Sequence, residues 1–400
     1  MRFEFTTATR IIFGAGTISE IGALCAGFAA HNDSPLTVLF VTNTLSASRT
    51  LIDQLADQGI HLLDLLTQKG INPIPFLVSE EPSVDLVQAG IQTALQNNCT
   101  VVLGLGGGSA IDTAKAIAVM LTNPGNVLDY LEVIGRGKPI SQPGVPLIAI
   151  PTTAGTGAEV TANAVLASPQ HRVKVSLRSP YMLARIALID PVLTYHLPPA
   201  VTASTGLDAL TQLIEPYLSN KANPLTDALC REGMQRAALS LQKVYENGNN
   251  PADRENMALA SLFGGIALAN AKLGAVHGFA GVLGGMYHAP HGAICAALLP
   301  QVMQMNVKAL QQRQPGSESL EKFHQVARIL TGVPTASAGD GVTWIKELVN
   351  TLQIPPLGKY GVSKSEVKTI VEKTIVASST KGNPIELLPE ELEQILIESL

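Results

Sequence analysis

Four unbroken apolar runs in the first half of the chain decide which folds are open to it. They are Leu36-Thr37-Val38-Leu39-Phe40-Val41-Thr42, Ile74-Pro75-Phe76-Leu77-Val78, Thr100-Val101-Val102-Leu103-Gly104-Leu105 and Pro146-Leu147-Ile148-Ala149-Ile150. None alternates polar with apolar residues, so each reads as a strand covered on both faces. Pro75 cannot donate to a ladder, which marks the second run as an edge strand. Segments of helical length, Ser46–Gly70 and Ser83–Asn98, separate the runs. Strands alternating with helices imply a parallel, doubly wound sheet. Val165-Leu166-Ala167 and Val173-Lys174-Val175-Ser176-Leu177 flank Ser168–Arg172 as a candidate hairpin.

After Asp190-Pro191 the β-branched runs stop. Leu207–Leu218, Leu225–Glu246, Arg254–Leu273, Ala293–Gln311, Glu318–Leu330, Gly341–Leu352, Lys364–Val376 and Pro389–Leu400 read as helices. The chain therefore divides into an α/β domain over 1–191, with a parallel sheet, and an all-α domain over 192–400. Its 400 residues suit two domains, and 46% apolar against 15% charged residues suffices for large cores. A net charge of −5, from 27 basic and 32 acidic residues, with no basic stripe, argues against nucleic acid as a partner. The start, MRFEFTTATR, lacks the apolar core of a secretory signal. Between Lys272 and Lys308 no charged residue occurs, but three histidines, two prolines and many glycines argue against a membrane span. Cys25, Cys99, Cys230 and Cys295 form no CxxC and read as buried thiols of a reducing, cytoplasmic setting.

The third run leads straight into Gly106-Gly107-Gly108-Ser109 and then a helix, Ala110–Leu121. Glycines let a backbone approach a phosphate, and a helix start offers free N–H groups and the positive end of a dipole. The spacing is not a proper GxGxxG, because Ser109 holds the last position, so a tight turn without ligand stays open as a reading. A second loop, Pro151-Thr152-Thr153-Ala154-Gly155-Thr156-Gly157-Ala158-Glu159, follows the fourth run, at the strand edge where open α/β sheets bind ligands. Asn43 closes the first run, where a dinucleotide's ribose would lie. It bonds hydroxyls without repelling a 2′-phosphate, which leaves NAD and NADP both open.

Three of the eight histidines fall within His277–His291. On one straight helix His277 and His291 would stand about 21 Å apart, too far to share an ion. The intervening glycines and Pro290 let the chain fold back. A carboxylate for the same ion is available from Asp208, the charge of an otherwise apolar helix start, with Gln212 one turn on. Scattered core histidines beside an isolated aspartate are the alternative. His31, His61, His171, His196 and His324 read as surface or packing residues.

Together these residues resemble the iron-containing (group III) alcohol dehydrogenase family. The landmarks are Phe13-Gly14-Ala15-Gly16, Gly106-Gly107-Gly108-Ser109 with Asp112 and Lys115, and the loop Pro151–Glu159. They continue through Asp190-Pro191, Thr205-Gly206-Leu207-Asp208-Ala209-Leu210-Thr211, Pro224-Leu225-Thr226-Asp227-Ala228 and His277-Gly278 to Pro290-His291-Gly292. The resemblance implies reversible hydride transfer between a small alcohol or aldehyde and NAD or NADP, in a homodimer. It places cofactor contacts at Asn43, Gly106, Gly107, Gly108, Ser109, Asp112, Thr152, Thr153 and Thr156. It places a divalent ion, Fe2+ or Zn2+, on Asp208, Gln212, His277 and His291. Gln212 departs from the family's histidine, and an amide carbonyl is a weaker ligand than imidazole. Related glycerol dehydrogenases manage with one Asp and two His around zinc. Gly281 departs from another histidine, a proton-relay position for which His288 is the substitute. Related maleylacetate reductases work without the metal, and a dinucleotide-binding protein that has lost catalysis is a further alternative.

Overall fold

The computed structural model describes residues 2–29, 35–46, 49–79, 81–171 and 173–400. His31, residues 47–48 of the expected first helical segment, and Arg172 of the hairpin turn lie outside them. The chain forms two compact units. One holds Thr6–Thr153 and Ala158–Thr194; the other holds Met1–Phe5, Ala154–Gly157 and Tyr195–Leu400.

Among the described residues, the first unit has nine strands: β1 Arg10–Phe13, β2 Thr37–Ser46, β3 Arg49–Thr50, β4 Asn72–Val78, β5 Val101–Gly106, β6 Leu147–Pro151, β7 Asn163–Ser168, β8 Val173–Arg178 and β9 Ile186–Ile189. Seven of them make one sheet in the order β1-β9-β6-β5-β2-β3, with β4 also on β2. Every pairing in it is parallel except the two-residue β3. β5 and β6 are buried at every position, as unbroken apolar runs require. β4, which carries Pro73 and Pro75, pairs with β2 alone, so its missing N–H groups are tolerated. β7 and β8 form the expected antiparallel hairpin, Asn163 opposite Arg178.

Three features differ from the sequence reading. β1 and β9 are missing from it because each has only four residues, too few for a periodic signal. Each still gains a full parallel ladder from the other, Arg10 opposite Ile186 through Phe13 opposite Ile189. The expected helix Ser46–Gly70 starts as strand and then splits into Leu51–Asp57 and Leu62–Thr67. Between the two helices Gly59 sits at φ +81°, a break that glycine makes cheap.

The second unit is helical. Pro199–Leu218, Pro224–Glu246, Pro251–Asn270, Ala275–Met286, His291–Arg313, Glu318–Thr331, Ala338–Thr351, Val367–Val376 and Pro389–Glu398 surround one apolar core. Proline opens four of these helices, where its missing N–H costs nothing. Asn223 and Asn250 cap two by accepting from backbone N–H groups. The helix Ala275–Met286 was not expected, since its glycines suggested only a break. The break falls at its end, in residues 287–290, and it turns the chain so that His291 starts a new helix. His291–Arg313 is long and apolar enough to cross a membrane by length and composition, but most of it is buried in this core.

The segment Ala154–Gly157 belongs with the helices because of close backbone approach. Gly157, at φ +58°, stands where a Cβ would lie 2.5 Å from Gly265 Cα.

Two predictions follow from the sheet unit. Gly106 ends β5 at φ +149°, and a Cβ there would meet Asn43 Oδ1 at 2.1 Å and Ala110 Cβ at 2.9 Å. At Gly107 a Cβ would meet only Thr153, at 3.6 Å. Gly106→Ala should therefore cost about 2–4 kcal/mol and Gly107→Ala less than about 1 kcal/mol, read by urea unfolding. Equal costs would contradict the geometry. Glu159, buried at the end of the threonine loop, has its carboxyl pushed up by burial from 4.5 to about 7, against a backbone hydrogen bond and Lys115. The folded chain then holds a proton that the unfolded chain releases between those values, so stability falls as pH rises through that window. The fall is up to about 3 kcal/mol. Glu159→Gln should remove it, and an unchanged pH slope in that variant would refute the assignment.

Candidate metal and dinucleotide site

The charge-poor segment and the first long helix meet in the helical unit. Asp208 and Gln212 lie one turn apart on Pro199–Leu218, and Glu215 continues the same face. His277 stands in the first turn of Ala275–Met286, and His291 and Cys295 share a face at the start of His291–Arg313. The helix break at residues 287–290 brings the two histidine rings to 5.4 Å between centroids, with their planes at 51°.

Donor atoms of Asp208, His277, His291 and Cys295 all lie within 4.8 Å of one another. His277 Nε2 is 3.5 Å and His291 Nε2 3.8 Å from Asp208 Oδ1. Cys295 Sγ is 3.8 Å from His277 Nε2 and 3.7 Å from His291 Nε2. The Asp208 side chain is 2% exposed, whereas that of His291 is 39% exposed, so the cluster opens on the His291 side. Asp208 Oδ1 is buried without a hydrogen-bond partner, an expensive state for a carboxylate oxygen unless a cation neutralises it.

The remaining polar groups orient these donors. Glu215 Oε2 accepts from His277 Nδ1 at 2.6 Å, and its Oε1 accepts from the Val276 N–H at 2.8 Å. With Nδ1 carrying its proton, Nε2 presents a bare lone pair to the cluster. Gln212 Nε2 donates to Asp208 Oδ2 at 2.9 Å and to the Gly155 carbonyl at 3.5 Å.

The electrostatics favour positive charge. Burial alone would raise the Asp208 carboxyl, but the neighbouring His277 and His291 imidazoles hold it below its usual value. Burial alone would lower His291, but the pull of Cys295 and Asp208 outweighs it and raises the ring to about 9. His277 rises well above its usual value for the same reason, with Glu215 adding to the pull.

Not every expected residue converges. His288 is exposed in the connection between the two helices and lies outside the donor cluster. A Cβ at Gly281 would meet nothing within 4 Å, so no side chain replaces the family's histidine there. Cys295 and Glu215 were given no role from sequence. The spacing His291 to Cys295, four residues on one helix, was the signal for the first. The run Asp208, Gln212, Glu215 at positions i, i+4 and i+7 was the signal for the second. His61, His171 and His196 are exposed, and His324 accepts from the Ala338 N–H, in keeping with surface and packing roles.

In the sheet unit, β5 delivers Gly106-Gly107-Gly108-Ser109 at its carboxyl end. The helix Gly108–Met120 starts without a side-chain cap, which leaves N–H groups at its first turn for an anion. Asn43 Oδ1 accepts from the Gly107 N–H at 3.1 Å, pinning the loop to the end of β2. Thr152 donates its N–H to the Gly106 carbonyl at 2.9 Å, and Thr153 flanks Gly107. Thr156 falls in the segment that joins the helical unit. Asp112 was expected to touch the cofactor, but both its oxygens have protein partners. Oδ1 pairs with Lys115 at 2.8 Å, and Oδ2 accepts from the Val165 N–H at 2.9 Å. Lys115 also donates to Thr161 Oγ1 at 2.8 Å and to the Asn163 carbonyl. Asp112 thus braces the hairpin against this helix.

A parallel sheet ending in an uncapped glycine loop and a helical unit carrying a buried His/Asp/Cys cluster are features of a dinucleotide-dependent oxidoreductase. Residues 8–191 match the model of the iron-containing alcohol dehydrogenase family and residues 202–400 match that family's C-terminal model. The 1,3-propanediol dehydrogenase of Klebsiella pneumoniae is 32% identical over 389 residues, 96% of this chain and 95% of that one. The NAD-dependent methanol dehydrogenase of Bacillus methanolicus is 30% identical over 396 residues, 97% of each. The crystal structure of a 1,3-propanediol oxidoreductase superposes over the whole of both chains with a TM-score of 0.89 at 30% identity. The chain belongs to the iron-containing alcohol dehydrogenase family and is an oxidoreductase acting on CH–OH groups with a nicotinamide dinucleotide.

The hydrogen bond from His277 to Glu215 generates a prediction. Glu215→Gln keeps the side chain's size but removes the charge that fixes the imidazole, so Zn2+ affinity should drop by roughly tenfold or more. Calorimetric titration of the metal-free protein reads this, and an unchanged affinity would mean that Glu215 serves only to bind the Val276 N–H.

Proposed function

We propose that the protein is a cytoplasmic, homodimeric alcohol dehydrogenase and aldehyde reductase for small substrates, with Asp208, His277 and His291 holding Fe2+ or Zn2+. The observation that carries this reading is the buried, unpartnered Asp208 Oδ1 facing two imidazole nitrogens. Two imidazoles and a carboxylate suit either ion. When bound, a divalent metal supplies a Lewis acid that lowers the pKa of an alcohol and polarises an aldehyde. The dinucleotide, when bound, supplies the hydride acceptor or donor.

The chain's own residues do the positioning. Gln212 occupies Asp208 Oδ2 and leaves Oδ1 free. Glu215 holds the proton on His277 Nδ1. The apolar core around the cluster excludes water on all sides but that of His291. In the sheet unit, Gly108 and Ser109 offer N–H groups to a pyrophosphate, Gly106 and Gly107 let it approach the backbone closely, and Thr152 and Thr153 stand beside them. Asn43 carries no charge, so it repels neither NADP nor NAD. The four cysteines are free and buried, which suits a reducing cytoplasm. The homodimer rests on the resemblance of the chain, and light scattering on the purified protein reads it.

Metal removal is the test of the reading. Dialysis against a chelator should abolish the oxidation of a panel of small alcohols, followed with NAD and with NADP. Adding back Fe2+ or Zn2+ should restore it at least about tenfold, the scale of a lost Lewis acid. Full activity after removal, confirmed by elemental analysis, would overturn the metal's role in favour of a metal-independent reductase.

A further inference from the structure

The metal reading above takes three ligands from the chain and leaves the fourth open. We propose that Cys295, as a thiolate, is the fourth protein ligand of this site and that Gln212 is a positioning residue for Asp208.

Three observations carry the proposal, and the first is distance. Bond lengths of about 2.0–2.1 Å to nitrogen or oxygen and about 2.3 Å to sulfur set the spacing of donors around a tetrahedral ion. They place an N–O pair about 3.3 Å apart and an S–N pair about 3.6 Å apart. Cys295 Sγ stands 3.8 Å and 3.7 Å from His277 Nε2 and His291 Nε2, and those nitrogens stand 3.5 Å and 3.8 Å from Asp208 Oδ1. Each of these four pairs lies within about half an ångström of ligand spacing.

The second observation is the position of the sulfur. Cys295 is fully buried, while the His291 side chain is 39% exposed. The sulfur therefore lies on the inner side of the cluster, and the outer side is where substrate would enter as a fifth ligand. Asp208 Oδ1, buried and without a partner, faces the same centre. On ion binding the Cys295 proton passes to solvent, and the lone pair it leaves on sulfur forms the bond to the metal.

The third is the orientation of Gln212. Its amide end lies between two acceptors, Asp208 Oδ2 and the Gly155 carbonyl. Both demand a donor, so Nε2 must occupy that end and Oε1 must point away from Asp208. An amide nitrogen is no ligand, and Gln212 Oε1, though also buried without a partner, is on the other arm of the amide, so Gln212 serves by holding the second oxygen of Asp208.

A thiolate beside two imidazoles and one carboxylate makes a softer site than nitrogen and oxygen alone, and it favours zinc over harder ions. Cobalt(II) added to the metal-free protein is the probe, because a thiolate bound to cobalt gives an intense near-ultraviolet charge-transfer band that imidazole and carboxylate do not give. The cobalt-loaded parent should show the band. Cys295→Ser should lose it and bind cobalt at least about tenfold more weakly, whereas Gln212→Leu should keep it. A parent that binds cobalt without the band overturns this inference and leaves the metal reading standing, as does a band that persists in Cys295→Ser. A parent that binds no cobalt, zinc or iron overturns both. The parent's spectrum alone decides the question if a variant does not fold.

Discussion

An unneutralised carboxylate inside an apolar core is the condition around which the helical unit is arranged. Asp208 is almost fully buried among leucines and alanines of its own helix, and one of its oxygens has no partner. A protein holds such a group only with compensation nearby. Here the compensation is a ring of donors delivered by two further helices, with Gln212 on one carboxylate oxygen and His277 and His291 facing the other. The chain break at residues 287–290 exists in this arrangement to turn His291 back toward His277. Without it the two rings would sit on one rod, far apart. The same ring of groups holds the Asp208 carboxyl below its usual value and both histidines above theirs.

The sheet unit solves a different problem with the same economy. Its central strands β5 and β6 are buried at every position, so only their carboxyl ends can present groups to a ligand. β5 presents a glycine whose φ of +149° no residue with a Cβ adopts comfortably, and Asn43 at the end of β2 fills the space that a Cβ would need. The backbone is thereby fixed in a form that leaves the first N–H groups of the next helix uncapped. Asp112, which the resemblance places among the cofactor contacts, pairs with Lys115, and the two tie this helix to the β7–β8 hairpin.

Much of this was legible in the amino-acid order, and the reasons are physical. Long apolar runs reveal buried strands because nothing else needs them, so β2, β4, β5 and β6 stand out. β1 and β9, four residues each, find their stability in each other, and pairing between residues far apart in sequence leaves no local mark. Asp208, His277 and His291 were legible as a set because a lone charge and clustered histidines in an apolar region demand a partner. Cys295 was not, because a buried cysteine in isolation is an ordinary core residue, and only the fold shows two imidazoles beside its sulfur. Gln212 illustrates the converse. Its place one turn after Asp208 suggested a ligand, but the Gly155 carbonyl, brought in by the close approach of Gly157 and Gly265, turns its nitrogen toward Asp208. His288 is exposed outside the cluster, and Asp112 has a protein partner on each carboxylate oxygen, placements that sequence proximity to a site does not reveal.

The central claim is that the helical core is built to hold a divalent cation at Asp208. The most direct measurement is the thermal unfolding midpoint of the metal-free protein as Zn2+ or Fe2+ is added. An ion that binds the folded state alone stabilises it by about 2.7 kcal/mol at a hundred times its dissociation constant. The account predicts a midpoint that climbs steadily with metal concentration in the parent and does not move in Asp208→Ala. A parent whose midpoint is indifferent to either metal, or an Asp208→Ala protein that responds as the parent does, would contradict it.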